Sequence, residues 1–396
     1  MTERFRPASR TEADGIGEVL RAIVGREHVR IATDADAIAG VVPLVLVAPA
    51  DERQTASVLR CANQAGLGVI PCGGGTKLDW GNPPRAADVV LSLRRLNHVL
   101  EHAWADLTVT VEAGCTVAQL QRKLAEHGQR LAVDPLWPER ATVGGILATN
   151  DSGALRLGYG SLRDLIIGVT LVLADGTVAS SGGKVVKNVA GYDLPKLATG
   201  SLGTLGVITR AVFRLHPLPR NTRTLTIAVE DAPAMRRIVS GILDAQLAPA
   251  AVQVRNGNVD ILLEGTLDGI AAQESAIKEI GPAHEGSAAV WRLREELWGH
   301  GPMVKFTTLP SRISAAAALF SDSVIQATGI GYGCFQGDVQ ELRAAIEQDG
   351  GSLVILGNTK LDAWGSPGDA LPLMRAVKEQ FDPKGTLNPG RFVAGI

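Results

Sequence analysis

The stretch with the clearest chemical potential is PCGGGTKLDWG, residues 71–81, where three consecutive glycines follow a short apolar run. Glycine adopts positive φ angles at no steric cost and has no Cβ, so neighbouring backbone amides can converge on an anion. Ordering three glycines costs roughly 2–3 kcal/mol, and two or three charge-assisted hydrogen bonds of about 1.5–3 kcal/mol each would offset that cost. The loop therefore predicts a phosphate cradle, with a flexible surface turn as the alternative interpretation.

A second glycine cluster, TVGGILATNDSG, occupies residues 142–153. Thr142 is a suitable N-cap for a short helix, and Gly144 and Gly145 would let the first turn press against a flat or anionic ligand. Packing of a helix against a strand would explain the same glycines without a ligand. We expect the two clusters to enclose opposite sides of one elongated ligand.

Two common nucleotide-binding motifs do not fit this sequence. A Rossmann site needs G-x-G-x-x-G directly between a strand and a helix, whereas Gly200, Gly203 and Gly206 are three residues apart. The segment GGKVVK, residues 182–187, lacks the upstream glycine and the Ser/Thr of a P-loop. A nicotinamide dehydrogenase and a nucleotide hydrolase are therefore poor matches.

Composition narrows the class of partner. The chain carries 39 Lys and Arg against 41 Asp and Glu, a near-neutral balance that gives no electrostatic reason to propose nucleic acid. Cys61, Cys72, Cys115 and Cys334 lie far apart, so we expect no metal site in this chain and place any iron–sulfur cluster in a partner.

The N-terminus lacks the apolar core of a secretory signal, and the apolar stretch 37–50 is interrupted by prolines. We expect a cytoplasmic protein with at most peripheral membrane association.

The pattern of predicted elements indicates two domains. A chain of 396 residues exceeds the size at which one core stops growing, about 250–300 residues. Apolar runs and helical stretches alternate up to HPLPRNTR, residues 216–223, whose prolines interrupt helix and sheet. Beyond this boundary, short strands and β-hairpins alternate with helices, which favours an antiparallel sheet covered by helices on one face.

Four motifs in order carry a resemblance to a known family: PCGGGTKLDWG, then TVGGILATNDSG with GYGSLRD, then KNVAGYDL with GSLGTLGVIT, and finally FDPKGTLNPGRF. The chain resembles the FAD-linked oxidases of the vanillyl-alcohol oxidase type, and the similarity extends to the E-type FAD-binding subunits of bacterial glycolate oxidase. The resemblance implies an α+β fold with four parts: an N-terminal helical lead-in (1–39), a PCMH-type FAD-binding domain of two α+β subdomains (40–220), an α+β cap domain with an antiparallel sheet (221–380), and a tail returning to the flavin (381–396).

The resemblance also implies which residues hold the FAD. They fall into four groups along the cofactor: the diphosphate, the remainder of its length, the adenine side and the flavin edge. In that order they are Cys72, Gly73, Gly74, Gly75, Thr76 and Lys77; Pro135, Thr142, Gly144, Gly145, Thr149, Gly153 and Gly160; Ile208; and Asn388 and Arg391.

Departures from the family pattern bear on the chemistry. Covalently flavinylated members place a histidine after the loop glycines, where this sequence has Thr76, so we expect non-covalent FAD. The H-x-G-D-G-N-x-H segment of the family's 2-hydroxyacid dehydrogenases is missing, and the corresponding region 356–368 contains no histidine.

His300 is then the candidate base for a 2-hydroxyl proton, since imidazole titrates near operating pH, although a turn residue is the alternative. Lys305 or Arg312 could bind a substrate carboxylate, with solvated surface cations as the alternative.

The resemblance implies a function at the level of a complex. It predicts an FAD-binding subunit of a glycolate oxidase that converts glycolate to glyoxylate and transfers electrons through flavin. The implied partners are a larger FAD-binding glycolate oxidase subunit and an iron–sulfur subunit. Two alternatives stay open: a stand-alone FAD-dependent 2-hydroxyacid dehydrogenase of the D-lactate type, and a subunit whose FAD is only structural.

Overall fold

Three β-sheets of four or more strands organise the described part of the chain, which comprises residues 10–183, 191–299, 301–357 and 360–396 of this computed structural model. Sheets of four and five strands lie in the N-terminal half, and an eight-stranded sheet lies in the C-terminal half. Helices pack on these sheets in both halves. The predicted α+β fold with an antiparallel cap sheet is confirmed.

The first subdomain is a four-stranded sheet with two helices. Its elements are α1 (Arg10–Val24), β1 (Val29–Ile31), β2 (Val45–Val47), α2 (Glu52–Ala65), β3 (Val69–Cys72) and β4 (Val89–Ser92). Strand β4 pairs in parallel with both β2 and β3, and α2 makes the crossover between them. The Asp51 carboxylate accepts a hydrogen bond from the Gln54 amide, 2.7 Å away, and Gly66 ends α2 in the left-handed region. Aspartate is among the residues that favour an N-cap position.

The N-terminal lead-in is part of this subdomain rather than a separate helical segment. Strand β1 pairs antiparallel with β2, and Leu20 and Val24 of α1 are buried against the same sheet. The structure thus places residues before 40 inside the first subdomain, because a three-residue strand contributes its own edge pairing to the sheet. A run as short as Val29–Ile31 gives too little periodicity to be recognised from sequence.

The second subdomain is built on a five-stranded antiparallel sheet. Its elements are β5 (Val99–Ala103), β6 (Thr108–Glu112), α3 (Val117–Ala125), β7 (Gln129–Arg130), α4 (Val143–Thr149), α5 (Arg156–Tyr159), α6 (Leu162–Leu165), β8 (Ile166–Val172), β9 (Val178–Gly182), α7 (Leu194–Ala198), β10 (Val207–Arg214) and β11 (His216–Pro217). The strand order in this sheet is β5–β6–β10–β8–β9. A hairpin at Asp175-Gly176 joins β8 to β9.

The cap is an eight-stranded sheet in which every strand pair is antiparallel. Its elements are β12 (Asn221–Ala228), α8 (Ala232–Asp244), β13 (Ala251–Arg255), β14 (Asn258–Gly265), α9 (Leu267–Ile280), β15 (His284–Glu285), α10 (Leu293–Glu296), β16 (Met303–Thr307), α11 (Ile313–Ala317), β17 (Asp322–Gln326), β18 (Ile330–Cys334), α12 (Val339–Gln348) and β19 (Ser352–Leu356). Side chains alternate along β16, so Val304 and Phe306 join the core under the helices. Met303 and Lys305 face the other way, toward the N-terminal domain.

The C-terminal tail returns to the glycine loop. After α13 (Leu371–Phe381), the tail pairs in parallel with β3, the strand that ends in the loop. The Val69 amide donates to the Thr386 carbonyl at 2.8 Å, and the Asn388 amide donates to the Val69 carbonyl at 2.9 Å. No helix in the described ranges has both the length and the hydropathy to cross a bilayer.

Candidate functional site

The glycine loop leaves β3 with backbone amides that have no hydrogen-bond acceptor among the described residues. No described residue accepts a hydrogen bond from the amides of Gly73, Gly74 or Thr76. Gly75 has a φ of 75°, in the region that favours glycine. Unpaired amides on a curved loop can bind an anion, since each is a donor that otherwise lacks an acceptor.

The two glycine clusters pack directly on each other. A Cβ at Gly73 would lie 2.0 Å from the Thr142 hydroxyl oxygen, and a Cβ at Gly74 would lie 1.8 Å from the Arg140 carbonyl oxygen. Both glycines are therefore required by the close approach of residues 140–142, whatever ligand binds. The predicted convergence of the two clusters is present in the fold.

One groove runs along this junction. It consists of two adjoining pockets with empty volumes of about 470 and 430 Å³ that share much of their lining. Thirteen of the sixteen residues predicted to hold the cofactor line it, which makes the groove the candidate cofactor site. These are Cys72, Gly73, Gly74, Gly75, Thr76, Lys77, Thr142, Gly144, Gly145, Thr149, Ile208, Asn388 and Arg391.

Three predicted residues do not line the groove. Pro135, Gly153 and Gly160 lie elsewhere, and two of them have evident backbone roles. Gly153 has a φ of 79° and approaches the Asp134 carbonyl so closely that a Cβ would lie 2.1 Å from its oxygen. Gly160 ends α5 with a φ of 85°. Their glycine character is explained by turns and close packing.

The start of α4 offers a flat surface to the groove. Thr142 caps the helix, and its hydroxyl accepts a hydrogen bond from the Gly145 amide at 3.3 Å. The Gly144 amide donates to the Ala113 carbonyl at 2.8 Å. Because these amides already have partners, this cluster suits a flat part of a ligand better than an anion.

The C-terminal tail contributes polar atoms without partners. Asn388, with a φ of 44°, donates from Nδ2 to the Leu202 carbonyl at 2.5 Å, and its Oδ1 has no hydrogen-bond partner in the described part of the chain. Arg391 donates to the Trp80 carbonyl at 2.6 Å, while its Nε is buried and unpaired. Burial lowers the pKa of Arg391 to about 10, with Asp79 opposing the shift. Together with the free loop amides, these atoms fit a polar cofactor carrying a diphosphate.

Lys77 connects the loop to a buried ionic cluster. Its Nζ lies 3.2 Å from Asp151 Oδ2, and Arg294 of the cap lies 3.5 Å from Asp151 Oδ1. Burial alone would raise the pKa of Asp151, but the positive charges of Lys77, Arg294 and Lys305 hold it below its usual value. The phosphate-binding contribution of this part of the loop is therefore left to its backbone.

Lys305 is the cation of this cluster that lacks a close anion. Its Nζ lies 5.5 Å from the ring centroid of Trp80 and 5.9 Å from that of Tyr332, its neighbour in the sheet register. No described carboxylate is within ion-pair distance of it. It lies deep in the protein with part of its surface still accessible. Burial lowers the pKa of Lys305 to about 8, opposed by Asp151 and reinforced by Arg294.

The three residues predicted to act on the substrate lie in different parts of the chain. His300 lies outside the described residues. Arg312 is exposed beside α11, on the helix-covered face of the cap sheet, and lies 3.7 Å from Asp349. Lys305 alone faces the N-terminal domain, because it alternates with the core residues of β16. Sequence reasoning missed Asp151 and Arg294, whose partners come from distant parts of the chain.

Aromatic side chains close the space around Lys305. The ring of Trp137 lies 4.8 Å from that of Trp298 in an edge-on arrangement, and Trp298 lies 6.0 Å from Tyr332. Burial, followed by Asp151, raises the pKa of the Tyr332 hydroxyl, which stays protonated. The Tyr332 hydroxyl is hydrogen-bonded to Asp151, so among these described side chains the Lys305 ammonium is the donor available to a ligand.

Comparisons with known proteins identify an FAD-binding domain in the part of the chain that contains both glycine clusters. Residues 43–182 match the family model of the FAD binding domain, and residues 366–392 match that of the C-terminal domain of FAD linked oxidases. The chain therefore contains an FAD-binding domain of the kind found in FAD-linked oxidases, and FAD is its cofactor. Within the described residues, no group of His, Cys, Asp and Glu side chains could hold a metal ion.

Relatives of known function differ in what they oxidise. The chain is 35% identical to the glycolate oxidase subunit GlcD of Bacillus subtilis, over 53% of this chain and 45% of the relative. It is 38% identical to the D-lactate dehydrogenase of Archaeoglobus fulgidus, over 48% and 43%. It is 26% identical to the D-2-hydroxyglutarate dehydrogenase of Xanthomonas citri pv. viticola, over 88% and 89%. The chain spans less than half the length of the first two relatives.

Solved structures support the fold alone. A p-cresol methylhydroxylase with substrate bound has a TM-score of 0.79 and 16% identity, covering 97% of each chain. An alkyldihydroxyacetonephosphate synthase has a TM-score of 0.75 and 19% identity, covering 97% of this chain and 85% of that one. Both domains of the present fold are therefore found together in these proteins.

Proposed function

We propose that this chain is the FAD-binding subunit of a glycolate oxidase complex, which converts glycolate to glyoxylate. In this proposal the chain transfers electrons between its flavin and two partners, a larger FAD-binding subunit and an iron–sulfur subunit. It would act in the cytoplasm with at most peripheral membrane association. The names of relatives that act on glycolate, D-lactate and D-2-hydroxyglutarate support a 2-hydroxy acid as the substrate.

The observation that carries the proposal is the unpaired ammonium of Lys305 beside the FAD groove. Lys77 lines the groove, and its Nζ lies 5.7 Å from the ring of Trp80, which Lys305 also approaches at 5.5 Å. A small carboxylate would provide the counter-ion that Lys305 lacks. Lys305 would bind the carboxylate of the acid. FAD, when bound, supplies the two-electron acceptor chemistry.

The described residues around Lys305 offer a carboxylate-binding cation rather than a general base. Among the residues that the structure describes, no histidine contacts Lys305, Tyr332 or Asp151. Removing the proton of a 2-hydroxyl needs a positioned base with a pKa near the operating pH. At neutral pH a lysine with a pKa of about 8 is mostly protonated, which suits it to binding a carboxylate rather than accepting a proton.

Anaerobic spectroscopy of the purified chain tests this proposal. Glycolate or D-lactate added to the isolated protein should leave the flavin absorption unchanged, whereas bleaching would show a self-sufficient dehydrogenase. Flavin reduced with dithionite should then be reoxidised by added partner subunits. If no partner reoxidises it, the FAD is structural and electron transfer through this chain is ruled out.

Co-purification provides a second measurement. The complex should contain flavin on this chain and iron on a partner, scored per polypeptide. A Lys305→Met variant should assemble normally but weaken the contribution of this chain to glycolate binding. Arg312→Met, which removes an exposed cation on the other face of the cap sheet, is the matched control and should behave as wild type.

A further inference from the structure

A turn behind the glycine loop carries two adjacent arginines with different roles. Arg94 and Arg95 are the central residues of a turn closed by the Leu96 amide, which donates to the Leu93 carbonyl at 2.9 Å. The Leu93 amide donates to the Cys72 carbonyl at 2.8 Å, and the Leu96 carbonyl accepts from Gly114 at 2.7 Å. The turn is therefore fixed at both ends, to the start of the glycine loop and to the second subdomain.

Arg94 binds the glycine loop from outside the groove. Its Nε donates to the Gly73 carbonyl and its Nη2 donates to the Gly74 carbonyl, each at 3.2 Å. Arg94 itself is exposed and is not among the residues that line the groove. Arg95 points elsewhere and donates to the Ala48 carbonyl at 2.9 Å.

Peptide geometry links these contacts to the anion site. In a trans peptide, the C=O of one residue and the N–H of the next point in opposite directions. Holding the carbonyls of Gly73 and Gly74 toward Arg94 therefore directs the amides of Gly74 and Gly75 to the opposite side of the loop. The Gly74 amide has no described acceptor, and the Gly75 amide faces the thiol of Cys72, a residue that lines the groove.

We propose that Arg94 is a positioning residue for the FAD diphosphate. It fixes the orientation of two peptide groups in a loop whose three glycines would otherwise sample many conformations, and so preorganises the amides that bind the cofactor. The proposal depends on FAD binding by this groove and is independent of which hydroxy acid is oxidised. A failure of the glycolate experiments would therefore leave it unaffected.

Equilibrium binding to the full chain stripped of flavin tests the role of Arg94. Arg94→Ala should weaken FAD binding about tenfold, the loss expected when both carbonyls are released, without changing the melting temperature of the FAD-free protein. The affinity of the variant for ADP, which carries a diphosphate, should fall by the same factor. Riboflavin, which has none, should bind as it does to wild type.

Conservative variants separate positioning from charge and from general damage. Arg94→Lys keeps the charge but cannot hold two carbonyls in the fork geometry of a guanidinium, so its affinity for FAD should be intermediate. Arg95→Ala is the matched control and should bind FAD as wild type. Unchanged FAD affinity in Arg94→Ala, full rescue by lysine, or a parallel loss of riboflavin binding would each overturn the proposal.

Discussion

Replacing Lys305 by methionine should stabilise the protein while removing its anion site. Burial lowers the pKa of Lys305 from 10.5 to about 8. One pKa unit corresponds to about 1.4 kcal/mol, so at neutral pH the buried charge costs up to about 3 kcal/mol. Methionine is apolar and similar in length, and it needs no counter-ion. Lys305→Met should therefore raise the free energy of unfolding by up to about 3 kcal/mol at pH 7.

The size of this effect depends on pH. The pKa of Lys305 is lower in the folded state, so between pH 8 and 10.5 the unfolded chain binds more protons than the native protein. The wild-type protein should gain stability as pH rises through this window, whereas the Met variant lacks that contribution. The difference between the two should be complete below pH 8 and should vanish toward pH 10.5.

Urea unfolding at several pH values, at equal FAD occupancy, measures this difference. Lys278→Met is the control, because Lys278 is exposed on α9 and its ion pair with Glu274, at 2.8 Å, is a surface one. The free energy of unfolding of Lys278→Met should differ from that of wild type by no more than about 0.5 kcal/mol. A Lys305→Met protein that is less stable than wild type at pH 7, or that keeps the wild-type pH slope, would refute the assignment of a buried cation without a partner.

Three further predictions concern the groove and the ionic cluster. Asp151→Asn should destabilise the protein by about 3–5 kcal/mol in urea unfolding, because it leaves buried cations uncompensated, whereas the exposed Asp175→Asn should be nearly neutral. Gly74→Val should abolish FAD binding, since a Cβ would lie 1.8 Å from the Arg140 carbonyl oxygen. A variant that purifies with a full complement of FAD would contradict the close packing of the loop. Acid precipitation should release flavin into the supernatant, because Thr76 stands where covalent members carry histidine, and flavin retained in the pellet would show a covalent bond.

Much of the lining of the candidate cofactor groove was predictable, because the residues that form it follow local sequence patterns. Consecutive glycines before Thr76 and the Thr142 cap are visible as sequence patterns, and the structure brings both to one groove. The tail residues Asn388 and Arg391 were recognisable only through the family resemblance. Nothing local in FDPKGTLNPGRF indicates that it pairs with β3, since that contact joins Val69 to Leu387.

Pairing between distant residues was not predictable. Lys77 follows the loop glycines, a position that favours a phosphate contact, yet its charge is balanced by Asp151 in the second cluster. The carbonyl contacts of Arg94 depend on a turn twenty residues from the loop it holds. Such contacts follow from the tertiary arrangement, and a single sequence contains no periodicity that reports them.

The candidate cofactor groove and the Lys305 cluster depend on different interactions. Their contributions to ligand binding can therefore be tested by separate substitutions. The groove depends on backbone amides and on glycines required by close packing, all within or beside the N-terminal domain. The cluster depends on charges contributed across the domain interface by Asp151, Arg294 and Lys305. Substitution of Lys305 alters only the second set, so the variant should retain FAD while losing carboxylate affinity. FAD retention by this fold is therefore no evidence of substrate oxidation, and the two must be measured separately.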